Sequence, residues 1–160
     1  MKPRLSLKGR GLQMLAQREH SRSELRRKLL VHARRPVGDG AEPVDPEAAA
    51  EQVEAVLDWL QANQYLSEER FVESRVHARA GRYGNQRIRQ ELAQHGVALS
   101  PEAAQQLKDS ENRRAREVWA RKFGEPAADA PERAKQMRFL AARGFSGEAI
   151  RRAVKGVDEE

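Results

Sequence analysis

The chain has 160 residues, of which 39% are apolar, only 5% aromatic and 34% charged, with a formal net charge of +6 and no cysteine. That length suits one domain or several small stacked units, and so thin a supply of large apolar side chains predicts several small cores instead of one thick one. Without cysteine there is no disulfide framework, thiol nucleophile or thiolate metal site, and no apolar run approaches the ~18 residues of a membrane span.

Residues 1–10 are basic and contain Pro3 and Gly9, which predicts a flexible N-terminus. They lack the apolar stretch of a signal peptide, so the expected compartment is the cytoplasm. Leu12, Leu15 and Ala16 then share one helical face that ends near Arg18. Ser21 followed three residues later by Glu24 is a capping box, with Leu25 and Leu29 as the apolar stripe behind it and Arg22, Arg26, Arg27 and Lys28 on the exposed side. Two prolines and two glycines make Arg34–Val44 a loop. Asp45-Pro46-Glu47 starts the next helix, whose buried face is Val53, Val56, Leu57 and Leu60, with Trp59 beside it.

The stretch Tyr65–Val97 reads as two short amphipathic helices around a glycine-marked turn. Ser67 caps the first, Glu68 and Glu69 sit in its positive first turn, and Gly81 and Gly84 bracket the break. Asn85 is the expected cap of the second helix, Ile88 and Leu92 its stripe, and Gly96 its left-handed stop. Ser100-Pro101-Glu102 repeats the start signal, with Ala103, Ala104 and Leu107 following on one face. A further helix over Arg113–Phe123 carries Val118 and Trp119, and Gly124–Pro131 is a second loop. Arg133–Arg143 holds Met137, Phe139 and Leu140, Gly144 stops it, and Ser146-Gly147-Glu148 opens a last helix containing Ile150 and Val154. The acidic end, Asp158–Glu160, is expected to fray.

These signals recur. Helix starts read DPEA, SPEA and SGEA at residues 45, 100 and 146, and two helix stops read Leu92–Val97 and Leu140–Phe145 in the same pattern. The repeat is imperfect, because Gln136 stands where Ile88 stands in the preceding block and Ala33 where a stop glycine is expected. The predicted architecture is all-α: three tandem three-helix units over 11–64, 65–110 and 111–157, elongated, each stabilised by its neighbour.

No catalytic set emerges. His20, His32, His77 and His95 lack metal-ligand spacing and read as surface residues, Gly81-Arg82-Tyr83-Gly84 is a turn and not a phosphate cradle, and no cofactor site is visible. An enzyme is not expected. Charge is arranged in blocks of alternating sign: +9 over residues 1–36, −9 over 37–69, +4 over 70–100 and +2 over 101–160. Such blocks mean either one element paired against another or a polyanionic partner for the basic segments. Arg75 and Arg79 fall within the apolar arc set by Phe71, Val72, Val76 and Ala78, where each either pairs with an acid such as Glu91 or points at a partner. Arg22, Arg26 and Arg27 together with Arg82, Arg87 and Arg89 are candidates for a basic stripe that holds phosphates without reading sequence.

The segments REHSRSELRRKL (18–29), VEAVLDWLQANQYLSEERFVESRV (53–76), RYGNQRIRQELAQHGV (82–97) and KQMRFLAARGFSGEAIRRAV (135–154) resemble the RecX family, regulators of the recombinase RecA. The resemblance covers most of the chain in order. Two departures, a long Pro/Gly-rich loop over Arg34–Val44 and Asn85 at a position where proline is common, affect turns alone. It implies a curved helical-repeat protein, without enzymatic activity, that binds in the groove of the RecA–DNA filament. There it would hinder filament growth, ATP hydrolysis, strand exchange and co-protease activity, and bind DNA weakly and without sequence preference. Wheel position and charge nominate Arg22, Arg26, Arg75, Arg79, Arg82 and Arg87 as contacts, and no extended apolar dimer face is visible, so a monomer is expected. The competing reading is a stand-alone DNA-binding transcriptional regulator with HSRSELRRKLL as recognition helix.

Overall fold

A computed structural model describes residues 4–36, 38, 40 and 42–156. The described residues form eight α-helices and no strand. They divide into two compact units, residues 1–71 and 72–160. Expectations for the chain ends at residues 1–3 and 157–160, and for 37, 39 and 41 in the first loop, lie outside the described residues.

The first unit holds α1 (Leu7–Gln17), α2 (Arg22–Ala33) and α3 (Pro46–Ala62). Helix α1 already starts at Leu7, inside the segment 1–10 for which a flexible N-terminus is expected. The Ser6 hydroxyl accepts the Gly9 N–H at 3.0 Å, a cap that Pro3 and Gly9 obscure in the sequence. Gly11 serves packing instead: it is buried, and a Cβ there would lie 2.8 Å from Leu60 Cδ1, so its bare backbone lets α1 approach α3. The Ser21–Glu24 cap forms, at 3.1 Å. Leu25, Leu29, Val53, Leu57 and Leu60 are fully buried together, as their spacing predicted. Asp45 occupies the cap position of α3 but its side chain makes no capping bond.

Helix α4 (Glu68–Arg79) begins behind Ser67, whose hydroxyl accepts the Arg70 N–H at 3.2 Å, and crosses from residues of the first unit into the second. Phe71 and Val72 are buried, whereas Ala78, placed on the apolar arc by the helical wheel, is exposed. The second unit continues with α5 (Asn85–Gln94), α6 (Pro101–Lys122), α7 (Ala130–Ala142) and α8 (Gly147–Lys155). Helix α6 is one continuous rod of 22 residues, so the two helices expected on either side of residue 110 are fused and that unit boundary falls inside a helix. Nothing between Leu107 and Arg113 breaks it, since no Gly or Pro occurs there. Helix α7 likewise starts three residues before the expected Arg133, capped by Asp129.

The repeated punctuation is real structure. Ser100 and Ser146 accept the N–H groups of Ala103 and Ala149 at 3.1 and 3.2 Å. Gly96 and Gly144 are both left-handed, at φ +72° and +89°. The following N–H of Val97 or Phe145 reaches back to Leu92 or Leu140 in each case. The break in the pattern at Gln136 also has a reason. Its side chain is buried, accepts the indole N–H of Trp119 at 3.0 Å and donates to the Glu125 carbonyl at 3.2 Å. An Ile would leave both groups unmet.

Candidate functional site

The six nominated arginines separate by what holds them. Arg22 donates to Glu54 Oε2 at 2.8 Å, Asp58 Oδ1 at 2.7 Å and Gln61 Oε1 at 2.6 Å, and Arg26 Nε to Glu54 Oε1 at 2.5 Å. Hydrogen bonds from Arg26 and Arg22 hold the Glu54 carboxyl below its usual range. The basic and acidic sequence blocks thus meet as α2 against α3, and Arg26 is not the unengaged solvent-face cation its wheel position suggested. The wheel sees one helix and not its neighbour. Arg75 and Arg79 both donate to Glu91, at 3.0 Å each, which is the pairing alternative. Burial alone would push the Glu91 carboxyl up, but the hydrogen bond and charge of Arg79, with Arg75 behind it, bring it down overall.

Arg82 and Arg87 remain exposed, on and beside the turn between α4 and α5. That turn is gripped from below by α6. The buried guanidinium of Arg114 donates to the carbonyls of Ala80 (3.2 Å), Tyr83 (2.9 Å) and Leu107 (3.1 Å), to Ser110 Oγ (2.9 Å) and to Asn85 Oδ1. Burial pushes its pKa down, so the carbonyl cage compensates a desolvated charge. Glu111 completes the grip by accepting the Asn85 N–H at 2.9 Å. Asn85 is therefore the first residue of α5 and not its cap: Gly84 takes the cap position, without a side-chain bond to offer.

Gly84 is where the backbone of the turn touches that of the α7–α8 connection. Its N–H donates to the Arg143 carbonyl at 2.8 Å, the Gln86 N–H to the Gly144 carbonyl at 3.2 Å, and a Cβ at Gly84 would lie 2.3 Å from the Gly144 backbone. No rearranged side chain could relieve so close a contact.

This joint opens onto a cleft of about 640 Å³ lined by His77, Ala78, Gly81, Arg82, Val118, Arg121, Lys122, Phe139 and Arg143. Four of these residues are permanent cations and none is acidic. Arg121 donates to the Gly81 carbonyl. Among the described residues Arg82, Lys122 and Arg143 make no ion pair. Aromatic rings set where the cations stand: Arg143 lies 5.3 Å from the centre of Tyr83 and 5.0 Å from Phe139, Lys122 lies 5.5 Å from Phe139, and Arg87 stacks on Tyr83 at 4.2 Å. The arrangement suits binding of an anion.

Sequence reasoning found Arg82 and Arg87 but missed Arg121, Lys122 and Arg143. A partial signal existed, since all three sit at helix C-terminal ends, where cations are favoured, but their convergence is tertiary. It also placed all four histidines at the surface, whereas His20 is buried, with Nδ1 3.1 Å from the Arg18 carbonyl and Nε2 3.0 Å from Lys28 Nζ. Among the described residues no group of three or more His, Asp or Glu side chains is placed to hold a metal, and no helix is long and apolar enough to cross a membrane.

Comparison with known proteins covers nearly the whole chain. The model of the RecX second three-helix domain matches residues 67–100 and that of the third three-helix domain matches 109–154. A protein named regulatory protein RecX from Leptothrix cholodnii is 50% identical over 99% of this chain and 94% of its own length. Its namesake from Ralstonia pickettii is 48% identical over 97% and 90%. A more distant one from Neisseria meningitidis is 34% identical over 100% and 96%. With eight helices carrying the repeated caps and stops, and with such identity from end to end, the chain belongs to the RecX family of regulatory proteins.

Proposed function

We propose that this chain is a negative modulator of the RecA recombinase: a cytoplasmic, monomeric, non-enzymatic protein that binds the RecA–DNA filament. By binding it inhibits filament growth, and with it ATP hydrolysis, strand exchange and co-protease activity. Family membership supports the regulatory part. The observation that carries the filament part is the cleft of the second unit, where four cations stand without a single acidic neighbour in the lining. A nucleoprotein filament presents the polyanion such a surface needs. We also propose that the chain works as three three-helix repeats, over 11–64, 65–110 and 111–157, with α6 shared by the second and third.

The contact set follows from which cations are free of ion pairs among the described residues. Arg82, Arg87, Lys122 and Arg143 are the residues to test, while Arg22, Arg26, Arg75 and Arg79 hold helices together through Glu54, Asp58 and Glu91. That pairing also weighs against the reading as a transcriptional regulator, because the exposed side of its recognition helix is tied to α3 and not offered to a DNA groove. The test is inhibition of RecA-driven ATP hydrolysis on single-stranded DNA by the Arg82→Glu/Lys122→Glu/Arg143→Glu variant. The concentration for half-inhibition should rise at least about tenfold, equivalent to roughly 1.4 kcal/mol, with helical content kept. A folded variant that inhibits like the parent protein refutes the assignment.

A further inference from the structure

Helix ends account for part of the positive charge at the cleft. Three helices end there: α4 at Arg79, α6 at Lys122 and α7 at Ala142. Each C-terminal end carries about half a negative charge on its unpaired carbonyls, so cations collect around helix ends for structural reasons alone. Some of the nearby arginines do serve those ends. Arg121 donates to the Gly81 carbonyl, Arg87 to the Ala142 carbonyl, and buried Arg114 to Ala80 and Tyr83.

The helix ends do not account for the rest. Against roughly one and a half negative charges from three termini, the lining supplies four cations, leaving a surplus of about two and a half even before Arg87 and Arg114 are counted. Arg82, Lys122 and Arg143 make neither an ion pair nor a carbonyl bond from their side chains among the described residues. Unpaired cations repel one another, and here Tyr83 and Phe139 hold Lys122 and Arg143 in place against that repulsion. A site with this surplus is complete when two or three negative charges enter it.

We propose that the cleft is a phosphate-row site, taking two or three consecutive phosphates on Arg82, Lys122 and Arg143. The inference deepens the filament reading by naming the ligand chemistry of its site. It differs from a docking site for acidic protein side chains. A recessed cleft with several cations from three elements suits a slender chain that carries one charge per link, as a phosphate chain does. Two sources share that chemistry, a strand of DNA and the triphosphate of a nucleotide.

The experiment omits RecA, so that its failure and the failure of filament inhibition can be told apart. Binding of the whole protein to a fluorescent oligo-dT is measured by anisotropy across a range of salt, with ATP and poly-glutamate as unlabelled competitors. The parent protein is compared with Arg82→Gln/Lys122→Gln/Arg143→Gln and with Arg27→Gln/Lys108→Gln/Arg133→Gln, which removes the same charge from exposed positions outside the cleft. Each phosphate contact to a single strand contributes about 0.7 to the log–log salt slope. The cleft variant should therefore lose about 2 units of slope, and the second variant almost none. Displacement of oligo-dT by excess oligo-dT but not by millimolar ATP assigns the site to a DNA strand, and displacement by ATP assigns it to the nucleotide triphosphate; either supports a phosphate row. Equal loss of slope in both variants, an unchanged slope in the cleft variant, or displacement by poly-glutamate as effective as by oligo-dT overturns the proposal. If the slope is unchanged while filament inhibition is lost, the filament reading stands and the phosphate row falls.

Discussion

Replacing Gly84 by alanine tests the joint that shapes the cleft. At φ −80° and ψ 170° the residue has backbone angles any amino acid adopts, so the change carries no conformational strain of its own. Taken alone it would stabilise the protein by about 0.4–1 kcal/mol, because alanine has less freedom to lose on folding. The new Cβ, however, would sit 2.3 Å from the carbonyl carbon and oxygen of Gly144 and from the Phe145 nitrogen. Relieving a contact that short requires moving one backbone by more than an ångström, which breaks the Gly84–Arg143 and Gln86–Gly144 hydrogen bonds. Two net hydrogen bonds are worth about 1 kcal/mol each, and repacking strain adds about 1–3 kcal/mol. The expected net loss is about 2–4 kcal/mol. Denaturant unfolding followed by Trp119 fluorescence in a Trp59→Phe background reports on the second unit, where Trp119, Gly84 and Gly144 lie. Gly81→Ala, three residues away with no atom within 4 Å of its Cβ, is the control and should be neutral or slightly stabilising. Equal midpoints for the two variants would refute the close approach and with it the account of how the cleft is positioned.

Three further outcomes follow from the packing. Leu92→Ala, at a fully buried position, should cost about 2–5 kcal/mol, whereas exposed Gln90→Ala should leave the denaturation midpoint in place. Gln136→Ile should destabilise by about 1–3 kcal/mol although it adds apolar bulk, because the Trp119 N–H and the Glu125 carbonyl lose their partner; a thermal midpoint at or above the parent's would contradict this. Burial alone would raise the Glu24 carboxyl from its ordinary value of 4.5, but the Arg18 hydrogen bond and the positive charge of His20, Arg18 and Lys28 bring it down to about 2. A depressed carboxylate stabilises above its unfolded value, so this contribution is complete above about pH 4.5 and is lost as pH falls toward 2. Glu24→Gln should flatten the stability profile across that window.

Local signals in the sequence were enough for most helix caps, stops and apolar stripes. A serine three residues before a free N–H, a glycine able to turn left-handed and apolar residues four apart act within one or two turns of chain. That is why Ser21, Ser67, Ser100 and Ser146, Gly96 and Gly144, and the stripes of Leu25, Leu29, Ile88 and Leu92 could be read without coordinates. The same locality explains the misreadings. Pro3 and Gly9 suggest a flexible start, yet the Ser6 hydroxyl caps α1 at the Gly9 N–H. Asn85 has the chemistry of a cap, but Arg114 and Glu111 on α6 claim its side chain and its N–H. Family resemblance, read from the order of motifs, reached the protein's class, but no motif marked the residues that line the cleft. A charge on a wheel is the same whether Glu54 lies opposite it or water does, so Arg26 and Arg82 looked alike until α3 was placed beside α2. The cleft is the clearest case: residues 82, 121, 122 and 143 share no period and no motif, and only the packing of three helix ends brings their charges together.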